Sequence, residues 1–334
     1  EYIANDTIAD RFLFDEDVHA AFGIYRNQWG KLGMQAGLRA ELTLTESYNR
    51  NRDETFTNNY FNLFPSLFVS YEVAKDREFQ VNYSRRISRP GVGILAPFYN
   101  VQDFLNLRIG NPYLQPVITD SYEFGYSQQQ EKLFFSSTLY HRNSSSIITR
   151  IFDIIDAQNA IVTWKNANNS RDTGLELINQ YTPASWIDAT LSANLFYSEI
   201  FGDNLGENLS NSNFSWTISM LTSMNFPKVA NFQIQGSYRG PMVLPQGQIE
   251  PIWGLNIGVR KDILNRRATI ALNVSDVFNT RIFKIETDDA ILYQRRDFDA
   301  ETRIGTLSLI YRFGGFKEKA GKTAPKDDMG SDPF

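Results

Sequence analysis

An all-β fold, a transmembrane antiparallel up-and-down β-barrel, is predicted by three features of this sequence. Apolar and polar residues alternate with a period of two along most of the chain. The alternating segments run about 10 to 14 residues, longer than the soluble mode of about 5 to 6 and enough for a tilted strand to cross hydrocarbon. The connections are short and long strictly in turn, as in barrels with tight turns at one end and loops at the other.

Taken in order, about thirteen segments carry the alternation. The first two, near 17–28 and 32–45, meet at Trp29-Gly30-Lys31. In the second, Leu32, Met34, Ala36, Leu38, Ala40, Leu42 and Leu44 alternate with Gly33, Gln35, Gly37, Arg39, Glu41, Thr43 and Thr45, giving one oily and one wet side. Segments 61–73 and 79–88 flank a short link, as do 118–127 and 132–142. Leu191, Ala193 and Leu195 mark 187–199, which follows 172–182 across another short link. Phe214, Trp216 and Ile218 mark 212–226, which turns into 230–240. Trp253, Leu255 and Ile257 mark 252–261, Ile270, Leu272 and Val274 mark 267–278, and the last segment is 302–313. Between hairpins lie 46–60, 89–117, 143–171, 200–211, 241–251 and 279–301, rich in Asn, Asp, Ser and Gly.

The oily side must meet either a second sheet or lipid. Lipid is favoured because that side is nearly free of charge over so many consecutive segments. Aromatic residues also sit at segment ends (Phe22, Tyr71, Tyr83, Tyr126, Tyr181, Tyr197, Phe226, Tyr238 and Phe278), where interfacial belts belong. No apolar run suits a membrane-spanning helix, and a mean hydropathy of -0.35 fits strands that offer only alternate residues to lipid. The 334 residues carry a net charge of -5, which argues against nucleic acid as a partner. With no cysteine there is no disulfide or thiolate chemistry. The two histidines are His19, expected on the lumen side, and His141; no nucleophile motif accompanies them. The expectation is therefore a non-enzyme without cofactor or metal.

An odd strand count leaves the first and last strands parallel, whereas a closed antiparallel meander needs an even number. Strands are thus expected upstream, making this the C-terminal part of a larger barrel.

Four stretches carry a resemblance: FNLFPSLFVSYEV (61–73), QVNYSRRISRP (80–90), GNPYLQP (110–116) and SYEFGYS (121–127), with NVSDVFNT (273–280) and IYRFG (310–314) later. On these the chain resembles, up to about Gly315, the outer-membrane β-barrel family related to TonB-dependent receptors. Val117 departs from it, standing where an acidic residue is expected. The resemblance implies a barrel of about 22 strands around an N-terminal plug, with selective uptake of a scarce or bulky nutrient. The implied partners are outer-membrane lipid and lipopolysaccharide, the absent plug and barrel portion, and a TonB-type energy-coupling protein. A surface lipoprotein or periplasmic protein is a further candidate. The alternative is a barrel serving as a structural or docking subunit of a multi-protein envelope complex.

Candidate lumen or rim residues are Arg85, Arg86, Arg89, Asn111, Asp120 and Glu123. The arginines read either as an anion-binding ladder or as braces paired with wall carboxylates such as Asp120 and Glu123. Four prolines between Pro90 and Pro116 stiffen the loop they occupy. In the last segment Gly305, Leu307, Leu309, Tyr311 and Phe313 resemble a C-terminal barrel assembly signal. The barrel is assigned to 1–315, and the charged 316–334 is expected as a periplasmic tail.

Overall fold

The computed structural model describes residues 11–100, 106–154, 160–205, 209–288 and 293–313. Its elements are β1 (Phe12–Trp29), β2 (Leu32–Asn49), the short β3 (Glu54–Thr57), β4 (Tyr60–Ala74) and β5 (Arg77–Ser88). A loop with one helical turn, α1 (Val92–Leu95), and two short strands, β6 (Tyr99–Asn100) and β7 (Asn106–Ile109), leads to β8 (Val117–Gln129). Then come β9 (Leu133–Ile154), β10 (Ala160–Ala184), β11 (Ile187–Phe201), β12 (Asn211–Phe226) and β13 (Ala230–Arg239). The chain ends with β14 (Met242–Leu244), β15 (Gly247–Ile249), β16 (Ile252–Ile263), β17 (Ala268–Val274), β18 (Phe283–Asp288), β19 (Tyr293–Phe298) and β20 (Gly305–Tyr311).

The wall is one antiparallel meander in the order β1-β2-β4-β5-β8-β9-β10-β11-β12-β13-β16-β17-β20. These are the thirteen strands the alternation predicts. The sheet forms a partial barrel that does not close: β1 and β20 each keep an edge unpaired among the described residues.

Cross-strand partners share a face, so the register sorts every wall residue. On β2 the apolar residues point out and stay open, with Leu38 51% and Leu42 40% exposed. The alternating polar residues are the buried ones, Glu41 at 2% and Thr43 at 0%. The soluble rule is inverted, as a wall with hydrocarbon outside requires. The outer stripe continues through Leu63 and Leu67, Val81, Phe124, Leu139, Leu195, Ile218, Leu255, Leu272 and Leu307.

Strand β1 departs from this scheme. Phe22 lies opposite Arg39 and Ile24 opposite Gly37, so its apolar stripe faces inward. His19 lies opposite Leu42 on the outer face, correcting its expected lumen position, and Phe22 leaves the predicted outer belt.

Two boundaries also change. Strands β9 and β10 are 22 and 25 residues long and remain paired through Ile154 and Ala160, across most of the predicted loop 143–171. Apolar residues fall on both faces there, Ile147, Ile151 and Ile161 on one and Ile148, Val162 and Trp164 on the other, so no period of two survives to announce a strand. Residues β14, β15, β18 and β19 form a separate four-stranded sheet from two predicted loops. The predicted tail, 316–334, lies outside the described residues.

Candidate functional site

The candidate residues are all near the long-loop end of the wall, but they divide among three environments. Arg85 and Arg86 are neighbours on β5 and therefore point to opposite faces. Arg85 shares the outer face with Val81 and Tyr83 and sits opposite Asp120. It grips that carboxylate with two hydrogen bonds, Nε to Oδ1 at 2.8 Å and Nη2 to Oδ2 at 2.9 Å, while the Tyr83 hydroxyl donates to Oδ1 at 2.7 Å. Arg86 faces inward and lines a hollow with Ser121, Glu123 and Arg142. Glu123 accepts from Ser121 Oγ at 3.0 Å and lies 4.0 Å from Arg142 Nη2. A continuous arginine ladder is thus replaced by an outer clamp and an inner polar patch.

Arg89 belongs to a third group, on the inner surface of β1, β2 and β4. Its guanidinium contacts Glu41, lies 3.3 Å from Glu16, and donates to Tyr60 Oη at 3.0 Å and Thr43 Oγ1 at 3.1 Å. Arg39 also pairs with Glu41, so a carboxylate shut away from water is held between two guanidinium groups. Below them Phe22, Ile24, Phe64 and Phe68 complete a cavity of about 280 Å³. The sequence signalled Arg89 but not Glu41 or Glu16, whose polar alternation looked like any lumen-facing strand.

Asn111 is a fastener. Its Nδ2 donates to Trp164 O at 2.9 Å, its backbone N–H donates to Ile94 O at 2.8 Å, and its Oδ1 accepts from Tyr113 N at 3.0 Å. Asn166 grips the adjacent Gln115 backbone from both sides, at 2.9 and 3.0 Å. Asn58 donates to Leu114 O at 3.2 Å, and Leu114 is 1% exposed. The proline-bearing loop is therefore a folded clasp tying the top of β4 to the top of β10. Gly110 permits it, since a Cβ there would stand 2.3 Å from Ala96 O.

A second hub went unrecognised as chemistry in NVSDVFNT. Asp276, 0% exposed and in the left-handed region (φ 42°), accepts from Thr302 Oγ1 at 2.5 Å, from the Thr280 and Arg281 backbone N–H groups at 3.1 Å each, and from Thr280 Oγ1 at 3.2 Å. Burial pushes its carboxyl up, but these donors outweigh burial and hold it below the usual carboxylate range. The signal in the sequence was the Asp and Asn pair spaced to take positive φ at Asp276 and Asn279.

On β20, Gly305, Leu307, Leu309 and Tyr311 share the outer face with β17, and Leu307 and Leu309 are 73% and 70% exposed. Phe313 packs edge-on against Tyr311, ring centroids 4.6 Å apart. Among the described residues no group of three or more His, Cys, Asp or Glu is arranged to hold a metal ion.

Comparison with known proteins agrees with this architecture. The ferric yersiniabactin uptake receptor FyuA from Yersinia pestis superposes with a TM-score of 0.61 at 14% identity, over 91% of this chain and 47% of that one. The ferric citrate transporter FecA gives 0.59 at 16% identity, over 88% and 44%. The ferric-catecholate import receptor Fiu from E. coli K12 gives 0.59 at 14%, over 89% and 45%. The chain thus spans less than half the length of each, and at these identities the likeness is one of fold. No curated protein matches the chain. The model of the outer membrane protein beta-barrel family matches residues 1–311, and the inverted wall, its register and this match together make the chain a member of that family.

Proposed function

We propose that this chain is the C-terminal part of the barrel of a TonB-dependent receptor that takes up a scarce or bulky nutrient across the outer membrane. The carrying observation is the inverted wall: of its thirteen strands, all but β1 turn an apolar stripe outward, broken by the Arg85–Asp120 clamp, and a mainly polar face inward. Closed by further strands to about 22, such a wall would enclose a lumen too large for its own side chains to fill, the size class that holds a plug. In this reading the tight turns are periplasmic, the clasp and the four-stranded sheet are extracellular, and residues 1–315 precede a periplasmic tail at 316–334. Gly305 to Phe313 would be the strand that assembly machinery reads.

Deleting the full-length protein tests the reading, with growth scored on single limiting nutrients, with and without energy coupling from the inner membrane. Loss of growth on one nutrient, dependent on that coupling, is the expected result. The folded clasp favours a second reading, a docking subunit. Unchanged uptake on every nutrient together with dissociation of an envelope complex would select it.

A further inference from the structure

We propose that the inner wall between β10 and β16 carries a binding site for a small polyhydroxylated carboxylate, such as a sugar acid. The proposal rests on the reading that the polar face lines a lumen.

The register places two rows of side chains side by side. Glu176, Asn194, Thr217 and Arg239 are direct cross-strand partners on four adjacent strands. The next inward row, nearer the tight turns, is Ser192, Ser219 and Ser237, ending at Gly254. Four consecutive small residues leave a trough in the wall, and a cavity of about 470 Å³ lies over it, lined by the first row, the three serines and Arg281. That volume is in the range of small-molecule sites.

One end of the trough is cationic. Arg239 Nε is buried without a hydrogen-bond partner among the described residues, and its guanidinium stands 6.0 Å above the Phe283 ring. Arg281 lies flat across Gly254, where a Cβ would be 2.3 Å from its Nε, and donates to Asn256 Oδ1 at 3.1 Å. No carboxylate of the described residues pairs with either one in an ion pair. A half-buried guanidinium with an unmet, buried Nε–H suits a planar carboxylate, which it can bind through two parallel hydrogen bonds.

The rest of the trough is neutral or acidic. Serine and threonine hydroxyls and the Asn194 amide both donate and accept, which is the pattern that hydroxyl-bearing ligands meet. Asn194 Oδ1 is already oriented by the Tyr140 hydroxyl at 3.0 Å. Glu176, three strand spacings or about 14 Å from Arg239, would repel a second anionic group and accept from hydroxyls. The ligand therefore carries one carboxylate and several hydroxyls and is not a compact polyanion.

Isothermal titration of the full-length protein in detergent tests this with lactobionate, a disaccharide acid with a single carboxylate, and with maltose and pyrophosphate. Lactobionate should bind roughly tenfold tighter than maltose, Arg239→Gln should erase that preference, and Ser219→Leu, which fills the floor, should abolish binding of both sugars. Each variant is first shown to keep the heat-dependent gel mobility of a folded barrel. Equal binding of the two sugars, no binding of either, tighter binding of pyrophosphate, or indifference to either substitution overturns the proposal. Failure here leaves the uptake reading standing, because the deletion experiment scores import of any nutrient.

Discussion

Glu41 shows how a single side chain is made tolerable in this wall. At 2% exposure its charge survives because Arg39 and Arg89 both reach it. Arg89→Ala should lower stability by on the order of 2 kcal/mol, since one guanidinium remains and a buried acceptor is left under-satisfied. Arg89→Lys should recover only part, because a lysine cannot contact Glu41, Tyr60 and Thr43 as a fork; thermal unfolding followed by gel mobility reads both. Gly110→Ala meets backbone atoms of Ala96 at 2.3 to 2.9 Å and should loosen the clasp by roughly 1 to 3 kcal/mol. Faster amide exchange at Asn111, with the wall strands unchanged, is the readout. Asp276 supplies a pH dependence with a definite sign. Its folded pKa lies below the ordinary value of 3.8, so its stabilisation is complete above that value and is lost as pH falls through the lowered one. Protection of the Thr280 and Arg281 amides should therefore drop only in that acid window, and Asp276→Asn should weaken protection at neutral pH and flatten the response.

At the scale of elements, the outer stripe is the feature most open to test. Leu38→Arg, about midway along the outer face of β2, should cost about 2 to 4 kcal/mol in a bilayer, while Asn82→Arg, on the inner face of β5 opposite Glu123, should cost little. Folding yield into lipid vesicles against urea separates them, and equal effects would mean that no hydrocarbon covers Leu38. The same alternation explains what was legible beforehand. Wherever one face meets lipid the sequence is binary, and all thirteen wall strands could be read from it, with end errors of up to about five residues except at the far ends of β9 and β10, each read 12 residues short. Where apolar and polar residues mix on both faces, as in the far halves of β9 and β10, the code lapses and strands passed for loops, as the short strands of the four-stranded sheet also did. The face of β1 was misread for a different reason: its alternation is clear, but only pairing with β2 decides which side is which. Of the candidate site, the residues were legible and their grouping was not. The hydrogen-bond partners of Arg89 lie 29 (Tyr60), 46 (Thr43) and 48 (Glu41) positions away in sequence.

For the molecule as a whole, the prediction is a lipid belt of defined height. Trp29 and Trp186 sit at the tight-turn end and Trp253 at the long-loop end, 48%, 41% and 43% exposed. Variants retaining one of these tryptophans should be quenched more by bromine high on the acyl chains than by bromine at the bilayer centre, as interfacial aromatics are. Absence of quenching at all three would place the wall outside the bilayer.

The β9–β10 hairpin reaches well past that belt. Crossing hydrocarbon takes about 9 to 11 residues of a tilted strand, so these two strands have more than ten to spare, roughly 30 Å of hydrogen-bonded ribbon. Because β7 pairs with β10 near its far end, the ribbon is shored up from the side like a buttressed mast. On the proposed orientation, the paired ends at Ile154 and Ala160 stand well clear of the lipid, within reach of antibodies, phage or proteases before these touch the mouth of the barrel.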